Sequence, residues 1–300
     1  MILKRWIKNR QPIIRDFFSA LGLFWMIKEI GAWLLTQLSI QIKTPDKLTI
    51  FFIMLFASIL YGILKNRPKS SFEKKIRDKD IFIEIKIGDA FKNEGALVVP
   101  INNEFDLFLN GNVSKSQSIQ KKLTSDFYNS KEEHLKSDIS SKIDLKKKPF
   151  KAGTVVEIEQ KDKKFYLLVN SSKLENGRVF SDIDDFMLAL NGIWDYLAKE
   201  KGDIVTIPLI NSQHSKPSNL TRDIIVKRII DTFIDASKHK ILCDKLIISI
   251  HPRDLERGQL DFDSLGKYLE FQCNNYKEIK FNNKPEGLEI GPSTVKSIKA

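Results

Sequence analysis

The chain is short of cysteine. Cys243 and Cys273 stand far apart, with no CxxC pair and no histidine cluster, so neither a disulfide framework nor a zinc site is indicated. Both are expected to be buried thiols in a reducing compartment, and no metal site is expected. Positive charge is scarce where a nucleic-acid-binding domain would need it. Of 49 Lys and Arg and 38 acids, residues 1 to 77 hold 14 against 4, which leaves 35 against 34 for residues 78 to 300. The high pI therefore belongs to the first quarter, and nucleic acid is not an expected partner. A small-residue cleavage site after a short apolar core is also missing, so a removed signal peptide is not expected.

A long uncharged run is present instead. Leu48 to Leu64, LTIFFIMLFASILYGIL, holds no charged residue and reaches the lower end of the ~17–25 residues that cross a bilayer as a helix. Lys65, Arg67 and Lys69 follow it, with Lys74, Lys75 and Arg77 beyond. Upstream, Phe17 to Ile42 is equally apolar except for Lys28 and Glu29, and it follows Lys4, Arg5, Lys8, Arg10 and Arg15. The connection between the two runs carries only Lys43, Asp46 and Lys47. Basic flanks outside a hairpin place both termini in the cytoplasm, so residues 1–64 are expected to form a two-pass membrane hairpin in contact with lipid, with spans at about 17–42 and 48–64. Lys28 and Glu29 have two readings. Either they face a bundle interior or a water-filled path, or the helix is tilted and they snorkel. Adjacent helical positions point about 100° apart, so the two are not expected to neutralise each other within one chain, and partners on another copy would make the protein a homo-oligomer.

After a basic linker at 65–78, IFIEIKIGD alternates at Ile81, Ile83, Ile85 and Ile87, which predicts a half-buried strand. GALVVPIN is a short apolar run, predicting a strand buried on both faces with Pro100 near its end. Residues 113 to 150 read as mostly helical. GTVVEIEQ and KFYLLVNSS then form a hairpin, and a helix from Ser181 and Asp182 to Gly202 shows a stripe through Phe186, Leu190, Ile193, Trp194 and Leu197. Strand DIVTIPLI, helix TRDIIVKRIIDTFIDASKHK, strand KLIISIHPRDL and a short helix around DSLGKYLEF repeat the alternation. The fold class is α/β, a three-layer α/β/α domain with a mixed sheet over residues 79–285, followed by a tail at 286–300.

The carboxyl ends of such strands hold ligands. Asn102 lies at one, with a donor pair and an acceptor to offer; the plainer reading is an asparagine that caps a turn. The ordered set of loops at 88–91, 100–112 and 208–219 resembles the macro-domain family, whose members bind ADP-ribose and related nucleotides. The resemblance implies that Asp89 of Gly88-Asp89, with Ala90, holds the adenine amino group and that Asn102 and Asn103 lie near the distal ribose. It implies that Asn110 and Gly111 line the first loop, that Leu209, Ile210, Asn211, Ser212, Gln213, His214 and Ser215 wrap the phosphates, and that Pro252 and Arg253 of HPRD lie beside adenine. Typical members carry glycine runs in both binding loops; here Asn110-Gly111-Asn112 and Asn211 to His214 replace them, which favours holding a decorated nucleotide over hydrolysing one.

A two-span hairpin ahead of such a domain resembles the transmembrane-macro effectors of the Thoeris anti-phage system. That resemblance implies a location in the bacterial cell membrane, an ADP-ribose conjugate as signal, with histidine as a candidate conjugate, and a TIR-domain enzyme as functional partner. It further implies oligomerisation and membrane disruption, with no cofactor and no catalytic residue. Two alternatives stay open: a membrane-tethered ADP-ribosyl hydrolase using Asn102 with Asp106 or His214, and a structural tether.

Overall fold

The computed structural model describes residues 10–38, 46–106, 119–174, 179–210, 220–256 and 260–276. Two long apolar helices come first, α1 (Arg10–Gln37) and α2 (Lys47–Lys65), and both are long and apolar enough to cross a membrane. They pack antiparallel at close range because Gly62 presents bare backbone to α1; a β-carbon there would lie 3.1 Å from the Ile13 carbonyl oxygen. Asp16, 5 % exposed, meets Asn66 Nδ2 at 3.0 Å and Lys65 Nζ at 3.3 Å, so the base of the hairpin is pinned by polar contacts. The first helix begins well before the expected Phe17, and the last expected residues of its span lie outside the described residues.

One expectation about this hairpin is overturned. Lys28 Nζ lies 2.6 Å from Glu29 Oε1 on the same helix. Neighbouring Cβ atoms do diverge by about 100°, but both side chains are long enough to lean across that angle.

The remaining chain forms one mixed sheet in the order β1-β2-β8-β7-β3-β5-β4, built from β1 (Ser71–Lys75), β2 (Phe82–Ile87), β3 (Ala96–Asn102), β4 (Val155–Gln160), β5 (Lys163–Lys173), β7 (Gly202–Pro208) and β8 (Cys243–Ile250), with β6 (Val179–Phe180) added beyond the end of β5. The five central strands are parallel, while β1 and β4 run antiparallel at the edges. Strand β1 corrects the reading of 65–78 as a linker. Its Phe72 packs on Phe262 with centroids 5.0 Å apart and closes over the bare backbone of Gly266, which makes this segment part of the sheet.

Helices α5 (Ile183–Glu200), α6 (Arg222–Ala236) and α8 (Phe262–Asn274) cover one face of the sheet, and α3 (Ile119–Tyr128) and α4 (Glu132–Lys142) cover the other. Successive residues of β3 divide between the two cores. Ala96 and Val98 join the α5–α6 side, while Leu97, Val99 and Ile101 join the α3–α4 side, as period-two alternation between two buried faces requires. Asp182 caps α5 by accepting from the Asp185 amide at 2.7 Å, and the helix buries Phe186, Leu190, Ile193, Trp194 and Leu197. Burying each such side chain contributes about 1.5–3 kcal/mol before entropy is charged against it. Cys243 and Cys273 are buried free thiols, both with pKa pushed up to about 12 by burial.

Candidate functional site

Because the five central strands are parallel, their carboxyl ends share one edge, and the strand order lines up the departing segments side by side: Gly88-Asp89 after β2, His251 to Arg253 after β8, Leu209-Ile210 after β7, Asn103 to Asp106 after β3, and Leu174 after β5. Strands β3 and β7 pair over two rungs, Ala96 with Val205 and Leu97 with Thr206, and then part. Open α/β sheets place ligands outside the carboxyl ends of strands, the side toward which this pairing stops. Thr206, 1 % exposed, stands at the last rung with no hydrogen-bond partner for its Oγ1 among the described residues.

Asp89 caps a single 3-10 turn, Ala90–Lys92, its Oδ1 accepting from the Phe91 amide at 3.2 Å. Its Oδ2 meets the Lys122 ammonium from α3. Burial pushes this carboxyl up, but Lys122 and the Phe91 amide outweigh it and hold the pKa below the usual value. Gly88 beside it has open space where a β-carbon would stand, so a ligand can approach its backbone. Ala90 is 9 % exposed and packs into the α3–α4 core.

Asn102 is 4 % exposed and works on its own loop. Its Oδ1 accepts from the amides of Glu104 and Asp106, both at 3.0 Å, and its Nδ2 donates to the Asp106 carbonyl at 3.1 Å. These bonds hold Phe105 at φ 54°, unfavourable for a bulky residue, with its ring edge-on to Phe150 at 5.1 Å. Asn103 is fastened too: its amide donates to the Ser171 carbonyl at 2.8 Å, and its Oδ1 accepts from the Lys173 amide at 3.0 Å. The loop after β3 is therefore a built turn stitched to β5.

Leu209 and Ile210 are 8 % and 0 % exposed and belong to the α5–α6 core, so their side chains form floor and any ligand contact falls to backbone. Pro252 and Arg253 open a short helix, α7 (Pro252–Glu256), with the Arg253 amide donating to His251 Nδ1 at 3.2 Å. Asn110, Gly111 and Asn211 to Ser215 lie outside the described residues.

Several contributors escaped the sequence reading. Lys173, at the end of β5, bridges Asp106 at 2.8 Å and Glu104 at 3.1 Å, and these two carboxylates, Asp106 first, raise its pKa. Buried Asn170, Ser171 and Ser249 put polar groups at the ends of β5 and β8. Arg222, the first residue of α6, pairs with Asp254 of α7 at 3.0 Å, both almost fully buried, and so joins the two segments flanking β7 and β8. The polar run NSS at the close of KFYLLV was the available signal for β5; nothing in the spacing links Arg222 to Asp254.

A separate groove of about 510 Å³ lies at the opposite, amino edge, lined by Asn93, Lys163, Tyr166 and Gly202 among others. Lys163 crosses it to donate to the Phe91 and Asn93 carbonyls at 2.8 and 2.7 Å, and burial lowers its pKa. Its lining alternates Lys and acidic side chains, a self-compensating surface, so the carboxyl edge is the stronger candidate.

The model of the family described as Thoeris protein ThsA, Macro domain, matches residues 83–251, from β2 to the first residue past β8. Among solved structures, the chain is similar to the Oceanobacillus iheyensis macrodomain with MES bound (14 % identity over 67 % of this chain and 99 % of that one, TM-score 0.47). It is also similar to the macrodomain of Mycobacterium tuberculosis DarG (13 %, 55 % and 96 %, 0.40) and to Thermosipho africanus DarTG in complex with ADP-ribose (15 %, 66 % and 48 %, 0.42). No curated protein matches.

Proposed function

Given that the chain belongs to the family of the Thoeris protein ThsA macro domain, we propose that it is a membrane-anchored sensor whose carboxyl sheet edge binds an ADP-ribose-type ligand. The observation that carries the reading is the placement at one edge of an ionised Asp89 beside the bare backbone of Gly88, with the parting of β3 and β7 alongside. An ionised carboxylate has lone pairs beyond those given to Phe91 and Lys122, and these suit an adenine amino group. Phosphates would meet backbone amides of the segments leaving these strands.

The ligand in this reading is an ADP-ribose conjugate, with histidine as the candidate, supplied by a TIR-domain enzyme. The hairpin crosses the cell membrane with the sensor domain in the cytoplasm, as the basic flanks direct. Its last helical residue, Lys65, is followed within a few residues by Ser70, whose carbonyl accepts from the Ile87 amide at 2.9 Å, two positions from Asp89. Hairpin and candidate site are thus close neighbours along the chain path, and ligand binding drives assembly and membrane disruption.

Holding is favoured over hydrolysis because the described residues named for catalysis are committed elsewhere. Asn102 structures its own turn, and Asp106 pairs with Lys173. Incubating the full-length protein in detergent with ADP-ribose conjugates and separating the products tests this. Retained and intact nucleotide supports the sensor, cleaved nucleotide supports the hydrolase, and neither supports the tether.

A further inference from the structure

The contacts of Asp16 with Lys65 and Asn66 fix the level of α1 against α2. From Asp16 to Lys28 the helix climbs about 18 Å at ~1.5 Å per residue. That is close to the middle of a hydrocarbon layer about 30 Å thick. There Lys28 and Glu29 pair at 2.6 Å with their side chains 36 % and 53 % exposed, and Lys28 Nζ sits 5.0 Å from the Trp25 ring centroid. Among the described residues no other hydrogen-bond partner meets either group. An ammonium has three donors and a carboxylate several acceptor sites, so most of their capacity is unused at the depth where water is absent. Met26, Ile27, Ile30, Trp33 and Leu34 around them are exposed and apolar.

Glu29 also falls on a second pattern. Gly22, Trp25, Glu29, Ala32 and Thr36 are all exposed and recur at alternating steps of three and four, which is the seam spacing of two helices that pack along their length. Gly22 has open space where a β-carbon would stand, so another helix can approach closely there.

We propose, resting on the reading that the hairpin spans a membrane, that this face of α1 is the contact between copies of the chain, with Lys28 of one copy meeting Glu29 of its neighbour. The surface is self-complementary in charge, so each cation gains a second carboxylate and each carboxylate a second ammonium without any other protein. The charges are then enclosed between helices, where intramembrane ionisable residues are found.

The test uses full-length protein in liposomes, labelled with donor and acceptor dyes in separate pools, and reads association by energy transfer. Lys28→Leu and Glu29→Leu should each lower the association constant by about tenfold. A one-to-one mixture of the two variants should recover association, since the lysine left on one copy meets the glutamate left on the other, and the exchange Lys28→Glu with Glu29→Lys should associate as the unaltered protein does. The proposal falls if the single variants self-associate normally or if the mixture does no better than its components. Alkaline carbonate extraction is run on every sample. Release of the unaltered protein by carbonate would remove the membrane reading and this proposal with it, whereas retained protein with undiminished single variants removes the proposal alone.

Discussion

Replacing Asn102 with alanine separates a turn-building residue from a ligand-contacting one. The substitution deletes the oxygen that accepts from the Glu104 and Asp106 amides and the donor to the Asp106 carbonyl. Each buried group left unsatisfied costs about 1–3 kcal/mol, but this loop is part-buried and water reaches some of it, so a net loss of about 2–3 kcal/mol is expected. Phe105 then loses the bonds that keep it at φ 54°, and the loop relaxes away from Phe150. For a domain of this size, about 2–4 °C of melting temperature goes with each kcal/mol, so the midpoint should fall by about 4–12 °C. Asn102→Asp keeps an oxygen that accepts from both amides and loses only the donor to the Asp106 carbonyl, so it should retain more stability than the alanine variant. The assay is thermal unfolding of the full-length protein in detergent, with calorimetric titration of ADP-ribose alongside. An alanine variant that melts with the unaltered protein yet loses ligand would refute the turn assignment and make Asn102 a contact residue.

Asp89→Asn should weaken ADP-ribose binding by about 1–3 kcal/mol. It should also flatten the acid limb of stability: a carboxyl held below its usual pKa stabilises the fold above the ordinary carboxylate range, and that contribution is lost as pH falls through its folded value. Denaturant midpoints measured across acid pH check this. Phe72→Ala should cost about 2 kcal/mol, less than the ~3–5 kcal/mol of a fully buried phenylalanine because Phe72 is half-buried, and a soluble fragment starting at residue 79 should be less stable than one starting before Ser71. Comparative urea unfolding of the two fragments decides. Cys243 and Cys273, raised to about 12, should resist alkylation at neutral pH until denaturant is added, as mass spectrometry of the labelled protein would record.

Most of the fold was legible because its strands and helices advertise their period. GALVVPIN is apolar on both faces and lies between two cores, and the stripe from Phe186 to Leu197 is the buried face of α5. Strand β1 was hidden, since Lys74 and Lys75 next to a candidate membrane span read as a positive stop, and the packing that makes a strand of them comes from α8 nearly two hundred residues away. The site was legible as an edge and less so as contacts. Parallel strands fix where loops emerge, but whether Asn102 faces a ligand or its own loop depends on the local turn, and the buried pairing of Arg222 with Asp254 depends on the tertiary fold. Sequence spacing hides the Lys28–Glu29 pair, because adjacent Cβ directions diverge while both side chains are long enough to meet.

Hydrogen exchange of the full-length protein with and without ADP-ribose tests the central claim most directly, because it locates the ligand without presuming a contact. The account predicts slowed exchange in peptides covering 88–92, 102–106 and 250–254 at the carboxyl edge, with 93–96, 161–166 and 200–204 around the amino-edge groove unchanged. Protection confined to that groove, or none anywhere at saturating nucleotide, would contradict it.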